Sequence, residues 1–345
     1  MLILFVAVVG ALIPTIVYVA AVWWLDRYEK EPVGLLAAAF FWGAIPAAIL
    51  SVVLELIFDL PLSALGGQGL AANLFSASIN APLVEETCKG IGLLILLLLF
   101  RREFDDVLDG IVYGAMIGFG FALAENLGAY FLPILSEQGI GAGIATIFLR
   151  SFVFGLNHAF WTACTGAAVG YARLHRGWMQ RTLVPVGGWT LAVLFHALHN
   201  AGATLAEQTA CLSLGLSLVV DWGGVLMLLV IVSLVLRKER RWIEQELAEE
   251  VGKGALHPQE FELLRSSWLR QWRRWDARRR GGADAYRTVG RYYQCATELA
   301  FKKQQLRSLG SQDAAPAEIQ QLQQRLGVLR GQAAPWLWPV ASNRP

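Results

Sequence analysis

Glu85, Glu86 and Lys89 stand three and four residues apart in an apolar run that continues from Gly90 to Phe100. On a helix that spacing lets one ammonium reach both carboxylates. Other apolar segments carry Glu125 with Asn126, His158, and His196 with Asn200. A charged side chain near the middle of a bilayer costs about 2.5–3.5 kcal/mol on insertion scales, so residues of this kind mark a reaction site or a conduction path by default. Paired carboxylates suit general acid–base work. Imidazole serves as a base, a metal ligand or a hydrogen-bond donor, and an asparagine amide can donate to a developing oxyanion. Phe121 lies one turn before Glu125, Thr162 one turn after His158, and Asn200 one turn after His196, so each pair shares a helix face. Arg150 precedes His158 on the same segment, placed to pair with a carboxylate or to snorkel to the interface. The competing structural reading is a buried ion pair that locks helices together, with histidines as interhelical hydrogen-bonders.

Composition decides what must position these groups. With 55% hydrophobic residues, thirteen Trp and only 16% charged residues, and a mean hydropathy of +0.47, a soluble globule of 345 residues is excluded. The expected fold is all-α: a polytopic transmembrane helix bundle of about seven spans with a small cytoplasmic helical tail. Crossing the hydrocarbon core takes about 20 apolar residues. The spans are expected at 2–24, 34–58, 79–100, 107–132, 143–172, 183–205 and 214–236, giving a membrane domain over 1–236 and a tail over 237–345. The first span lacks a basic leader region and runs into Trp23, Trp24 and the charged stretch from Asp26 to Glu31, which reads as a retained helix with an aromatic anchor. Cys88, Cys164, Cys211 and Cys295 form no CxxC or finger spacing and are expected as core thiols.

Basic residues set the orientation. Arg27 and Lys30 follow the first span, Arg101 and Arg102 the third, Arg173, Arg176 and Arg181 the fifth, and Arg237, Lys238, Arg240 and Arg241 the seventh, whereas loops 59–78, 133–142 and 206–213 hold no Lys or Arg. The positive-inside rule then puts the N-terminus outside and the C-terminus in the cytoplasm. At about 1.5 Å per residue, Glu85 falls about 7–10 Å, Glu125 about 10 Å and His196 about 13 Å below the outer boundary, with Asn200 shallower and His158 nearest the midplane. The groups therefore bunch toward the non-cytoplasmic face, whereas a proton-coupled transporter or membrane sensor, the alternative function, needs a polar route to both faces. Loop 59–78, with Gly66, Gly67 and Gly69, is expected to re-enter the membrane or stay mobile, and Gly114 with Gly118 forms a small-xxx-small pair for close helix packing. No internal repeat of the transporter type is visible.

After Arg237 the chain alternates charge with apolar residues at helical intervals, first Trp242, Ile243, Leu247 and Val251, later Phe261, Leu263, Leu264, Trp268 and Trp272. Two to four short helices are expected, with turns at Gly252-Lys253-Gly254, Gly281-Gly282 and Ala314-Ala315-Pro316. Arg270, Arg273, Arg274, Arg278, Arg279 and Arg280 make a basic cluster for anionic lipid or a cytoplasmic partner, or else a solvated face.

Taken together, Glu85-Glu86-x-x-Lys89, Phe121-x-x-x-Glu125-Asn126, His158 within Asn157-His158-Ala159-Phe160-Trp161-Thr162, and His196-x-x-x-Asn200 resemble the motifs of the PrsW family of intramembrane proteases, relatives of the CAAX-prenyl endopeptidases and bacteriocin-processing enzymes. The blocks Asp26-Arg27-Tyr28-Glu29-Lys30-Glu31-Pro32 and Asp105-Asp106-x-x-Asp109-Gly110 also resemble that family, and the likeness covers about 20–240. The resemblance implies an intramembrane endopeptidase of a bacterial plasma membrane. Its substrate would be a single-span membrane protein, such as an anti-sigma-factor-like regulator, cut on the extracytoplasmic side. Its partners are that substrate and the lipid bilayer, with no nucleic acid. Glu125 stands where the CAAX branch has a His, and Lys89 one position short of its Arg, which argues against prenylated peptides. In the catalytic set Glu85, Glu86, Glu125, His158, His196 and Asn200, either Glu85 or Glu86 activates water, His158 and Glu125 orient it, and His196 with Asn200 stabilises the oxyanion. Lys89, Phe121, Asn126 and Arg150 support them. Glu86, Glu125, His158 and His196 are also the expected ligands should the enzyme hold Zn²⁺; no HExxH helix is present. A metal-free glutamate mechanism stays open at this point.

Overall fold

The hydropathy pattern resolves into helices throughout, with no strand among the described residues. A computed structural model describes residues 1–26, 28, 30–64, 69–101, 103–104, 106–309 and 316–338. In chain order the helices are α1 (Leu2–Leu25), α2 (Val33–Trp42), α3 (Ala48–Ala64), α4 (Leu70–Phe75), α5 (Ala81–Leu99), α6 (Val107–Glu125), α7 (Leu132–Glu137), α8 (Ile140–Phe148), α9 (Asn157–Arg173), α10 (Trp178–Thr204), α11 (Leu212–Gly252), α12 (Pro258–Leu264), α13 (Ser267–Leu309) and α14 (Pro316–Leu337). Four π-helical turns, Gly43–Ala47, Ser76–Asn80, Asn126–Phe131 and Leu149–Val153, lie between successive α segments. The chain divides into two compact units, one of Met1–Leu25 with Glu31–Val232, the other of Asp26–Lys30 with Ser233–Pro345.

Among the described residues, six helical stretches are long and apolar enough to cross a membrane: Leu2–Leu25, Val33–Leu60, Val107–Glu137, Ile140–Arg173, Trp178–Thr204 and Leu212–Gly252, the last continuing into the second unit. The segment expected as a further span, 79–100, forms the 19-residue α5, in which Glu85, Glu86 and Lys89 crowd three charges into one apolar stretch, where each of those six has an 18-residue stretch with no more than two. It is an integral membrane protein with its polar helix buried inside a greasy shell: Glu85, Glu86 and Lys89 are buried on α5, while Leu94, Leu98 and Leu99 face outward.

Helix α6 is the central element, with most of its length from Leu108 to Ala122 buried. Its start is fixed by a capping box in which the Asp106 carboxylate accepts from the Leu108 and Asp109 amides at 2.6 and 3.0 Å, and Asp109 accepts from the Asp106 amide at 2.8 Å. Asp106 and Asp109 thus have a local structural purpose; Asp105 of the same block lies outside the described residues, as do Arg27, Glu29 and Arg102. The close-packing expectation for Gly114 and Gly118 matches the α6–α9 contact. A Cβ on Gly118 would collide with the His158 carbonyl oxygen, and one on Gly114 would stand 2.7 Å from that of Thr162. Only glycine admits that approach, and it is what brings His158 against α6.

The described residues of stretch 59–78 are largely helical. Helix α3 runs to Ala64, α4 and a π-turn follow, and Asp59 accepts hydrogen bonds from Ser76 at 2.6 Å and Asn80 at 2.8 Å, which stitch this connection to the start of α5. Gly66 and Gly67 lie outside the described residues. Nor are all cysteines core thiols. Cys88 and Cys295 are buried, but Cys164 is half-buried and Cys211 is exposed, because Cys211 sits in the turn after α10 with a φ of 64°.

The second unit packs around Ile243, Leu247, Val289, Tyr292, Ala296, Leu299, Leu326 and Ala333. After α11 it holds α12, α13 and α14, and α13 is two helices divided, as the sequence suggests, at Gly281 and at Gly282, whose φ is 70°. Leu263 and Leu264 are buried as their spacing predicts, but Trp268 and Trp272 point outward, 70% and 49% exposed. Arg270 and Ala277 take the inward positions of α13 instead.

Candidate active site

Three helices of the first unit meet at Lys89. Its Nζ donates to Glu85 Oε2 at 3.0 Å and to Glu86 Oε1 at 2.7 Å, lies 3.0 Å from His158 Nδ1, and sits 3.8 Å over the ring of Phe121. One cation thereby joins α5, α6 and α9, and its burial is tolerable because every face of the ammonium has a partner. Glu86 is fully committed. Its Oε1 also lies 3.2 Å from His196 Nδ1, and its Oε2 accepts from Thr162 at 3.2 Å. Glu85 is less so: its Oε2 is 4.0 Å from His158 Nδ1 and 3.9 Å from His196 Nε2, between the two imidazoles, and Oε1 has no protein partner among the described residues.

A second layer orients the histidines. His158 Nε2 is 2.9 Å from Glu125 Oε2, and the same carboxylate oxygen accepts from Arg150 at 2.5 Å. Arg150 Nε donates to Asn126 Oδ1 at 2.6 Å, and the guanidinium lies 3.5 Å over Tyr130. Trp161 stacks on His196 with ring centroids 4.0 Å apart and an interplanar angle of 15°, which fixes the tilt of that imidazole. Three π-turns contribute directly: Asn126 opens one, Arg150 lies in another, and Ala77 in a third accepts from Asn200 Nδ2 at 2.8 Å. The wider π-turn redirects side chains out of the ordinary helical register, a feature frequent at functional sites.

Between these layers lies a cavity of about 30 Å³, room for a water molecule or two. Glu125, Asn126, Arg150, His158, His196 and Asn200 line it. All of the candidate residues read from the sequence therefore lie in one neighbourhood, with Glu85 and Glu86 behind the imidazoles and not on the cavity wall. Sequence reasoning missed a polar cluster alongside. His199 also lines the cavity and its Nδ1 lies 2.7 Å from Asp221 Oδ2, which accepts from Asn157 at 2.9 Å. Asp221, alone amid the apolar residues of α11, was the available signal, since an isolated intramembrane carboxylate needs a partner.

The donor atoms also bear on a metal. Glu85, Glu86, His158 and His196 each offer one ligand atom, all within 4.8 Å of one another. Two imidazole nitrogens with two carboxylate oxygens suit Zn²⁺. Glu125, the other carboxylate expected in the ligand set, lies outside this compact group, held by Arg150 and the far nitrogen of His158. Across the two layers, among the described residues, Glu85, Glu86 and Glu125 pair with two permanent cations, Lys89 and Arg150. One negative charge is in excess, and either a proton or a bound cation balances it. The donor types suit a divalent ion, and Lys89 Nζ, 2.7–3.0 Å from Glu85, Glu86 and His158, would have to turn aside for one to bind.

The model of the PrsW family intramembrane metalloproteases matches residues 31–236. The chain belongs to this family. Among curated relatives, the protease PrsW of Bacillus subtilis is 28% identical over 49% of the chain and 70% of its own length. That of Clostridioides difficile is 32% identical over 34% of the chain, and that of Geobacillus kaustophilus 28% identical over 43%. These last two matches span 47% and 58% of the relatives' own lengths. No solved structure matches the chain significantly. Membership makes the chain a PrsW-type intramembrane peptidase of a bacterial membrane, and it adds a second unit, Ser233–Pro345, of which only the first four residues fall inside the family match.

Proposed function

We propose that this PrsW-type chain hydrolyses a peptide bond in a single-span membrane protein close to the extracytoplasmic face, with an anti-sigma-factor-like regulator as the substrate class. The observation that carries the reading is the convergence of two carboxylates and two imidazoles from α5, α9 and α10 beside a water-sized cavity. The depths worked out from the sequence support the outer side, and the positive-inside pattern supports an outside N-terminus with the tail in the cytoplasm.

Of the two glutamates, Glu85 is the base. Glu86 has both oxygens occupied and acts by holding Lys89, His196 and Thr162 in place. Glu85 keeps a free oxygen and lies between the imidazoles, one layer behind the cavity wall, so it can take a proton from a water admitted between the two rings as the water oxygen bonds to the substrate carbonyl carbon. The proton then passes to the departing amide nitrogen as the C–N bond breaks. Glu125, anchored by Arg150, keeps the His158 ring in orientation. Asn200 donates one N–H to Ala77 and retains a second for the carbonyl oxygen of a substrate in the cavity it lines, beside His196. Glu85, Glu86, His158 and His196 would hold a divalent ion. When bound, such an ion would act as a Lewis acid and make water a stronger nucleophile at neutral pH.

The test is to incubate the purified full-length protein in detergent with a panel of single-span membrane proteins and sequence new N-termini by mass spectrometry. Fragments absent with Glu85→Gln support the reading. Fragments that are unchanged with that variant come from a contaminant and overturn it.

A further inference from the structure

The first part of α13 wears its aromatic residues on the outside. Between Ser267 and Arg280, before the break at Gly281, the exposed positions are Trp268, Gln271, Trp272, Trp275, Arg278 and Arg279. Their spacing of three and four residues makes a single helix face. The three indoles are 70%, 49% and 46% exposed. The opposite side buries Ala277 and Arg270. The Arg270 guanidinium donates to Thr297 Oγ1 at 2.8 Å and stacks 4.9 Å from the centroid of Tyr28. Burial pushes it down to about 10, so it is still charged at neutral pH. This helix thus inverts the usual order, arginine inward and tryptophan outward.

Arginines also flank the exposed rings. Arg273 lies 4.9 Å from the Trp272 centroid and Arg278 5.1 Å from that of Trp275. The stretch has six arginines and one acid, Asp276, which pairs with Arg280 at 2.9 Å. A row of indoles in water is costly unless something covers it. Indoles bordered by guanidinium groups match the boundary between lipid headgroups and acyl chains, where the ring sits below the phosphates and the cation reaches them. The same chain is anchored in the bilayer by α11, so lipid is present at high effective concentration, an advantage no soluble partner has.

We propose that the Trp268–Trp272–Trp275 face, with Arg278 and Arg279, is a docking surface for anionic phospholipid. It is independent of the peptidase site, and uses neither its residues nor its substrate.

The experiment uses full-length protein carrying Cys211→Ser and Gln271→Cys, with an environment-sensitive nitrobenzoxadiazole label at 271, in nanodiscs of phosphatidylcholine alone or with phosphatidylglycerol. In phosphatidylglycerol discs the emission should shift to the blue and be quenched by headgroup nitroxide lipid. Each arginine near an anionic surface contributes roughly fivefold, so Arg278→Ala with Arg279→Ala should lower the bound-to-free ratio about 30-fold. Joint replacement of the three exposed tryptophans by Ser should abolish the shift while the helical circular dichroism is kept. Identical emission in the two kinds of disc would overturn the proposal. So would shielding of the label that rises with protein concentration and ignores lipid charge, because the face would then belong to a second copy.

Discussion

Glu85→Gln removes a negative charge from the centre of the site while keeping its shape, so its effect on chemistry separates from its effect on folding. The amide oxygen introduced at this position can still accept from Lys89, which also retains its 2.7 Å bond to Glu86. The loss to folding is that of one charge-assisted hydrogen bond becoming neutral, about 1 kcal/mol. The loss to chemistry is that of a general base, about 100-fold to 10,000-fold in turnover. By contrast, Lys89→Met leaves two buried carboxylates without their cation, and breaking a buried pair costs about 3–5 kcal/mol. Turnover measured on a single-span substrate in proteoliposomes, alongside thermal unfolding in the same detergent, separates the two effects. Glu85→Gln should be folded and nearly inert, and Lys89→Met should be poorly folded. Turnover of Glu85→Gln within tenfold of the parent, with an unaltered melting temperature, would refute the assignment of Glu85 as base.

Gly118→Val should cut activity at least tenfold, by forcing a side chain into the space held by the His158 carbonyl; α9 must shift and carry His158 with it, while Gly128→Ala, where a Cβ meets nothing within 4 Å, should be close to silent in the same assay. Exhaustive chelation should abolish activity and Zn²⁺ restore it, with anomalous scattering placing the ion about 2.0–2.2 Å from its ligand atoms; full turnover by a demonstrably metal-free preparation would sink the metal reading. Maleimide at pH 8 should label exposed Cys211 readily and spare Cys295, whose buried thiol is pushed up to about 11 and is therefore protonated; rapid labelling of Cys295 would mean that the core of the second unit opens.

Much of the site was legible in the sequence because hydrocarbon exposes it: a Glu, His or Lys among apolar neighbours has few reasons to be there, and helical spacing tells which of them share a face. Depth estimates from span ends put Glu85, Glu125 and His196 within about 6 Å of one another in depth without any tertiary information, and put His158 deeper. What stayed hidden depends on long-range packing. Nothing local says that Arg150 claims Glu125 and so leaves Glu85 within the compact donor group. Asp221 reads as an ordinary interruption of a span until His199 and Asn157 are seen beside it. The π-turns are equally silent in sequence, since they differ from α-helix by one residue per turn. In the second unit the period of α13 was readable but its phase was not. Arg270 takes the inward place because Thr297 and Tyr28 satisfy its guanidinium, and this turns the tryptophans outward.

The central claim is that this constellation cuts a membrane-embedded chain near the outer face. Its most direct test is to reconstitute the purified protein in liposomes with single-span substrates and map the position of each cut by mass spectrometry. A cut within the outermost turns of the substrate's transmembrane helix, on the side opposite the basic flank, is the predicted result. Cuts confined to the basic-flank side, or no cut in any substrate while the protein is folded and supplied with Zn²⁺, would contradict it.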